Sequence, residues 1–196
     1  PQIPMGHKPM GGFAMELCSD MLTIKGEPKK IMELPGQDPS IQKGHGFFEA
    51  SSMRKIRGRY YFVYSSLNGH ELCYATSSSP MGPFEYGGVI ISNGDVGYQG
   101  RRKEDAVYPL GNNHGSILSL SDTENYIFYH RHTNYTNTDR QAMAERIEIL
   151  PDGRIMQVEK TSMGLNKTPL LGKGEYPSSI CSTLVPKSGN VFYPFF

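Results

Sequence analysis

Tryptophan is absent from the 196 residues, cysteine occurs three times, and neither sign of charge dominates, with 20 Lys plus Arg against 19 Asp plus Glu. Each shortage excludes something. A formal charge of +1 gives no electrostatic reason for a polyanionic partner, so nucleic acid is not expected and a neutral substrate fits better. Cys18, Cys73 and Cys181 are widely separated, odd in number and without a C-x-x-C spacing, which argues against a disulfide framework or a zinc site and reads as three free thiols. No segment approaches the roughly 18 apolar residues of a membrane span, and no charged-then-apolar leader opens the chain. The expectation is a soluble protein without membrane partners, with secreted and cytoplasmic locations both open. Helical periodicity is lacking too: no amphipathic segment of period 3.6 exceeds about two turns.

What the chain does have is 22 Gly, 14 Pro and 12 Tyr, the composition of short strands punctuated by turns. The fold class read from it is all-β. Strand-like runs come in clusters. Ala14 to Ser19, Met21 to Lys25 and Lys30 to Leu34 form the first, followed by the polar stretch Pro35 to Gly46. The second is clearer: Ala50 to Ile56, a turn at Arg57-Gly58, Arg59 to Ser65, a turn at Asn68-Gly69, His70 to Thr76, a turn at Pro80 to Pro83, and Phe84 to Ile91. Four strands in roughly forty residues have the size of one propeller blade. After a Gly-rich, charged loop from Ser92 to Gly111, Gly115 to Leu120, Tyr126 to His130, Gln141 to Leu150 and Ile155 to Glu159 are expected to give four more strands, with Asp152-Gly153 as the last hairpin turn. From Ser162 onward the pattern fades, leaving Leu170-Leu171 and Tyr176 as anchors and an aromatic tail without strand alternation.

The two clear clusters look like copies, since Tyr60 to Tyr64 aligns with Tyr126 to His130 at a spacing of 66. Glu49 precedes Tyr60 by 11 residues and His114 precedes Tyr126 by 12, so both open the first strand of a blade. In a propeller the innermost strands line the central channel, and polar side chains at their ends converge on one mouth of it.

Glu49 lies between Phe47-Phe48 and the small residues Ala50-Ser51-Ser52. A carboxyl pressed against aromatic rings loses hydration, stays protonated nearer neutrality and serves as a general acid; the competing reading is a solvated glutamate at a strand edge. His114 is a candidate hydrogen-bond donor or metal ligand at the channel mouth, or a structural strand cap. His130, Arg131 and His132 form a second polar run, and Arg140 follows the loop Thr133 to Asp139, where it would pair with a catalytic carboxylate or lie on the surface. Other signals carry less. Asn134-Tyr135-Thr136 and Asn166-Lys167-Thr168 match a short glycosylation pattern, Arg101 to Asp105 reads as a solvated mixed-sign loop, and the glycines near Asn93 and Gly111 open no helix that would cradle phosphate.

Phe47 to Ser52, Arg59 to Ser66 and His70 to Ser77 resemble the third blade of glycoside hydrolase family 43, and Asn112 to Ser116 with Tyr126 to Arg131 resembles its fourth. The resemblance runs from about Gly11 to about Tyr176. It implies a partial five-bladed β-propeller, roughly blades two to five, with 1–44 a remnant of the second blade, 45–91 the third, 92–160 a loop and the fourth, and 161–196 an irregular remnant of the last. It also implies an inverting β-xylosidase, α-L-arabinofuranosidase or endo-arabinanase in xylan degradation, acting on arabinoxylan, arabinan or xylo-oligosaccharides. The family uses an aspartate base, a second aspartate that tunes the acid, and a glutamate acid. Glu49 matches the acid and His114 the central histidine, often near a calcium ion; no cofactor is required. Arg140 matches an arginine near the base, and Phe48 is a candidate sugar contact. Both aspartates belong to blades expected before Pro1, and Asp20 reads as an outer-strand residue that fills neither role. The alternative expectation is a non-catalytic glycan-binding propeller fragment. An open propeller would also leave unpaired edge strands.

Overall fold

The computed structural model describes residues 11–34, 37–39, 41, 44–106, 109–132, 140–161, 163–166 and 173–175. Cys181, Leu170-Leu171, Tyr176, the aromatic tail, the loop Thr133 to Asp139 with its glycosylation pattern, and Lys167-Thr168 of the second pattern lie outside these residues.

The described residues form nine strands in three antiparallel sheets: β1 (Gly12–Leu17) with β2 (Ile24–Met32); β3 (Phe47–Ile56), β4 (Arg59–Ser66), β5 (Glu71–Ser77) and β6 (Glu85–Ser92) in that order; and β7 (Gly115–Ser119), β8 (Asn125–His132) and β9 (Arg140–Ile147) in that order. Three single-turn 3₁₀ segments, Asn93–Asp95, Tyr98–Gly100 and Lys103–Asp105, complete the regular structure among them. Among the described residues no helix is long and apolar enough to cross a membrane.

The middle sheet shows why this sequence stacks sheets face to face. Successive side chains of a strand point to opposite faces. In β4, Tyr61 and Val63 join Ile117, Ile127, Tyr129, Met143 and Ile147 of the third sheet, whereas Phe62 and Tyr64 join Ile31 and Met32 of the first. In β5, Leu72 and Tyr74 take the first side and Cys73 and Ala75 the second. A sheet buried on both faces needs apolar residues at every position, which is why Tyr61-Phe62-Val63-Tyr64 shows no polar alternation. Sheets stacked this way, each covering the next, have the arrangement of propeller blades.

Several local expectations are corrected. Met21 to Lys25 and Lys30 to Leu34 are not two strands but the one strand β2; Ala14 pairs with Lys29 and Glu16 with Lys25, so two extra residues bulge at Gly26, which sits at φ 77°. Asp20 is not on an outer strand. It closes the β1–β2 turn, its carboxylate accepting bonds from the Thr23 hydroxyl and then from the Thr23 and Leu22 backbone N–H groups, which hold it down to about 2.

The expected strand Ile155 to Glu159 shrinks to a single bridge between Ile149 and Ile155. Its backbone donors are committed elsewhere: Ile155 N–H to the Tyr74 hydroxyl (2.8 Å), Val158 N–H to Ile90 carbonyl (2.9 Å), Lys160 N–H to Asp95 (2.6 Å) and Thr161 N–H to Glu145 (2.7 Å). The segment stitches the third sheet to the middle one instead of extending the ladder. Asn93-Gly94-Asp95, read as loop, makes one 3₁₀ turn. Arg101, read as part of a solvated loop, bonds Asp95 (2.9 Å) and Glu159 (2.7 Å).

Candidate active site

The site lies where β3 and β7, the first strands of two neighbouring sheets, run side by side. The Ser52 and Ser116 hydroxyls join them at 2.8 Å. In a regular strand Phe47 and Glu49 would share a face, but β3 is irregular. Phe47 pairs with Ser66, Glu49 with Ser65 and Ser52 with Val63, so the register shifts both before and after Glu49. Ala50, at φ 55°, holds the left-handed conformation that the second shift needs. The result places Phe47 on the face of Phe62 and Tyr64, where it packs in the core against the first sheet. Glu49 goes to the opposite face, toward β7.

There Glu49 Oε1 lies 3.0 Å from His114 Nε2, with side chains 23% and 35% exposed. The two phenylalanines that precede Glu49 do not cradle its carboxyl: Phe47 turns away and Phe48 is 55% exposed, while an imidazole lies beside the carboxylate.

His114 is itself held from behind. Its backbone N–H donates to His130 Nδ1 (3.4 Å), and the His130 ring meets it edge to face at 5.3 Å. With Nδ1 accepting, Nε2 of His130 carries the proton and donates to Asn112 Oδ1 (2.9 Å). Burial, then the charges of His114, Arg140 and His132, push His130 down to about 4, so it is neutral at pH 7 and fixed in one tautomer. His132 Nε2 reaches the Asn112 backbone N–H at 3.0 Å. Gly111 permits this approach, since a Cβ there would fall 2.2 Å from the His132 ring and φ is 54°. Arg140 opens β9 opposite His132, and its charge reaches the site through His130.

Of the four residues expected from sequence, Glu49 and His114 are thus brought into contact, Arg140 stands behind the histidines, and Phe48 is at the surface. Sequence reasoning missed the shift at Ala50 and the support from Asn112 and His130. The run Asn112-Asn113-His114 was visible, but its pairing with His130 depends on the β7–β8 register. Calcium takes six to eight oxygen ligands. Among the described residues no group of three His, Cys, Asp or Glu donors includes His114, so these residues alone do not fit such an ion.

Comparison with known proteins bears on the family and the fold. Residues 2–155 match the sequence profile of glycosyl hydrolases family 43. A xylosidase/arabinosidase of Thermoclostridium stercorarium is 50% identical over 184 residues, covering 92% of this chain and 39% of that protein. A beta-xylosidase of Xylanibacter ruminicola is 53% identical over 97 residues, covering 45% and 29%. The chain therefore spans well under half the length of these relatives. Among solved structures, a GH43_1 enzyme from Xanthomonas citri complexed with xylose superimposes with a TM-score of 0.58 at 26% identity, over 76% of this chain and 42% of that one. A GH43 beta-xylosidase/alpha-arabinofuranosidase from a compost microbial metagenome, in complex with xylotriose and in calcium-free form, gives 0.57 at 28%, over 76% and 43%. With the profile covering most of its length and its sheets stacked as part of a five-bladed β-propeller, the chain belongs to glycosyl hydrolase family 43.

Proposed function

We propose that this chain carries the proton-donating part of an inverting glycosidase site for xylosyl or arabinofuranosyl linkages, with arabinoxylan, arabinan or xylo-oligosaccharides as substrates. The observation that supports it is the contact between Glu49 and His114 on the first strands of adjacent sheets. In this reading 45–91 is the third blade and 92–160 the fourth, with 1–44 and 161–196 contributing parts of the second and last.

Glu49, protonated, gives its proton to the departing glycosidic oxygen as the bond to the anomeric carbon breaks. Water attacks that carbon from the far side, losing its proton to an aspartate that the family resemblance assigns to the first blade. An inverting pair leaves roughly 6.5 to 9.5 Å between acid and base for this water. The His114 Nε2–H donates to the carboxylate left on Glu49, where a charge-assisted hydrogen bond is strongest. Neutral His130 fixes the His114 ring, the exposed Phe48 offers a ring for sugar contact, and Arg140 bears on the site through the charge it places beside His130. The names of the relatives and the xylose and xylotriose bound by the solved neighbours favour pentosyl substrates. Calcium, if bound near His114, would supply positive charge in the channel; no step here needs it.

The test is hydrolysis of xylo-oligosaccharides and arabinoxylan by a form of the protein that includes the first blade with its aspartate, followed by proton NMR from the first turnover. The first sugar released should carry the anomeric configuration opposite to the bond cleaved. Retention of configuration would overturn the inverting assignment, and saturable binding with no product over long incubation would favour a glycan-binding module.

A further inference from the structure

On the opposite face of the middle sheet, three side chains of different chemistry converge on one point. Glu71 and Cys73, two residues apart at the start of β5, share a face of the sheet, and both are buried. His45 enters from the segment that leads into β3. His45 Nδ1 is 2.6 Å from Glu71 Oε1, Cys73 Sγ is 3.5 Å from the same oxygen, and Sγ is 3.9 Å from Nδ1. The glycosidase reading does not use this cluster, and of its three members only Cys73 also belongs to the core between the middle and first sheets.

We infer that His45, Glu71 and Cys73 form a binding site for one divalent transition-metal cation of zinc-like preference. A tetrahedral zinc ion with nitrogen, oxygen and sulfur donors separates its oxygen and nitrogen by about 3.3 Å and its sulfur from either by about 3.6 Å. Both sulfur separations here are already close to that value. Only the His45 to Glu71 contact must open, by about 0.7 Å, and His45 is the partner with room to move, its side chain being 21% exposed against 3% for Glu71. That exposure also gives an ion its way in.

The donors are held for the task. Ser66 Oγ (2.5 Å) and Asn68 Nδ2 (3.1 Å) donate to Glu71 Oε1 and fix the carboxylate. The Tyr64 hydroxyl donates to the His45 carbonyl (2.9 Å), while Asn68 N–H and Leu67 N–H donate to the carbonyls of Gly44 and Gly46. The backbone on both sides of His45 is therefore anchored, as outer partners of metal ligands commonly are. Burial, and then the neighbouring carboxylate, push the Cys73 thiol well up, and the bond to Glu71 pushes His45 up. Both protons oppose a cation, so binding releases the thiol proton and any proton on the imidazole to solvent, leaving thiolate, carboxylate and neutral imidazole on the metal. The spacing of these residues along the chain matches no zinc motif, because β5 and the entry to β3 meet only in the folded sheet.

This inference stands apart from the glycosidase reading. It is tested with the full chain, reduced and stripped of metal, titrated with Co²⁺. Expected is a thiolate-to-cobalt charge-transfer band in the near ultraviolet that saturates at one equivalent, disappears on addition of Zn²⁺, survives in the Cys18→Ser/Cys181→Ser variant and is lost in Cys73→Ser. Because a buried serine could disturb folding, His45→Ala gives a second reading, with cobalt affinity falling at least about tenfold and near-ultraviolet circular dichroism unchanged. Absence of the band in folded wild-type protein, its survival in Cys73→Ser, or unchanged affinity in His45→Ala would each overturn the site.

Discussion

Glu49 and His114 are 65 residues apart in the chain and 3.0 Å apart in the fold. Two register shifts in β3 and the neutral His130 behind His114 bring this about. Each of these supports makes a separate expectation.

Replacing His114 by Ala removes the donor to the Glu49 carboxylate formed as the proton leaves. A hydrogen bond to a charged group is worth about 1.5 to 3 kcal/mol, so kcat should fall by roughly 10- to 100-fold while KM changes little. Steady-state kinetics in a form of the protein that hydrolyses substrate measures both. A loss confined to KM would make His114 a binding residue only.

Ala50 holds a left-handed φ of 55° that costs a residue with a Cβ about 1 to 2 kcal/mol. Ala50→Gly should therefore raise stability by up to about 1 kcal/mol, and Ala50→Val should lower it, as chemical denaturation would record. If Val were tolerated as well as Gly, the bulge would not be a strained device for aiming Glu49.

Gly87 packs against the face of Tyr74, where an added Cβ would meet the ring at 2.1 Å. The Tyr74 hydroxyl accepts the Ile155 N–H at 2.8 Å. Gly87→Ala should displace the ring, break that stitch between sheets and cost about 1 to 3 kcal/mol. Tyr74→Phe should reproduce the part due to the lost hydroxyl without the steric part.

Lys160 sits among Arg131 of β8, Asp95 of the turn after β6 and Glu145 of β9. Burial first and Arg131 second bring it down to about 8, against the pull of Asp95 and Glu145. Between about pH 8 and 10 the unfolded chain keeps a proton on this lysine that the folded chain has released. Stability therefore rises with pH across that window, by an amount of the order of 2 kcal/mol. Lys160→Met should flatten this rise. An equal slope in both proteins would place the titrating group elsewhere.

How much of this the sequence discloses depends on whether one strand or two determine the feature. The hairpin at Arg57-Gly58 was legible because the glycine and its neighbour, at φ 79° and 49°, give the positive angles a two-residue turn needs. β4 and β5 were legible from their aromatic and β-branched content. The end of the third sheet was not, because Ile155 to Glu159 alternates like a strand while its donors are taken by Tyr74, Ile90 and Asp95. At the site, the repeat spacing brought out Glu49 and His114. The opposite facing of Phe47 and Glu49 escaped it, because alternation puts residues two apart on one face and only the pairing with Ser66 and Ser65 reveals the shift. The His45, Glu71 and Cys73 cluster escaped because His45 lies 26 residues before Glu71 and meets β5 only in the folded sheet.

The central claim is that Glu49 donates the proton to the leaving oxygen. Its most direct test compares wild type with Glu49→Gln on aryl xylosides and arabinofuranosides of graded leaving-group acidity. The account predicts a loss of about 10²- to 10⁴-fold in kcat on poor leaving groups that shrinks steadily as the leaving group becomes more acidic. A loss of the same size on every substrate, or none on the poor ones, would contradict it.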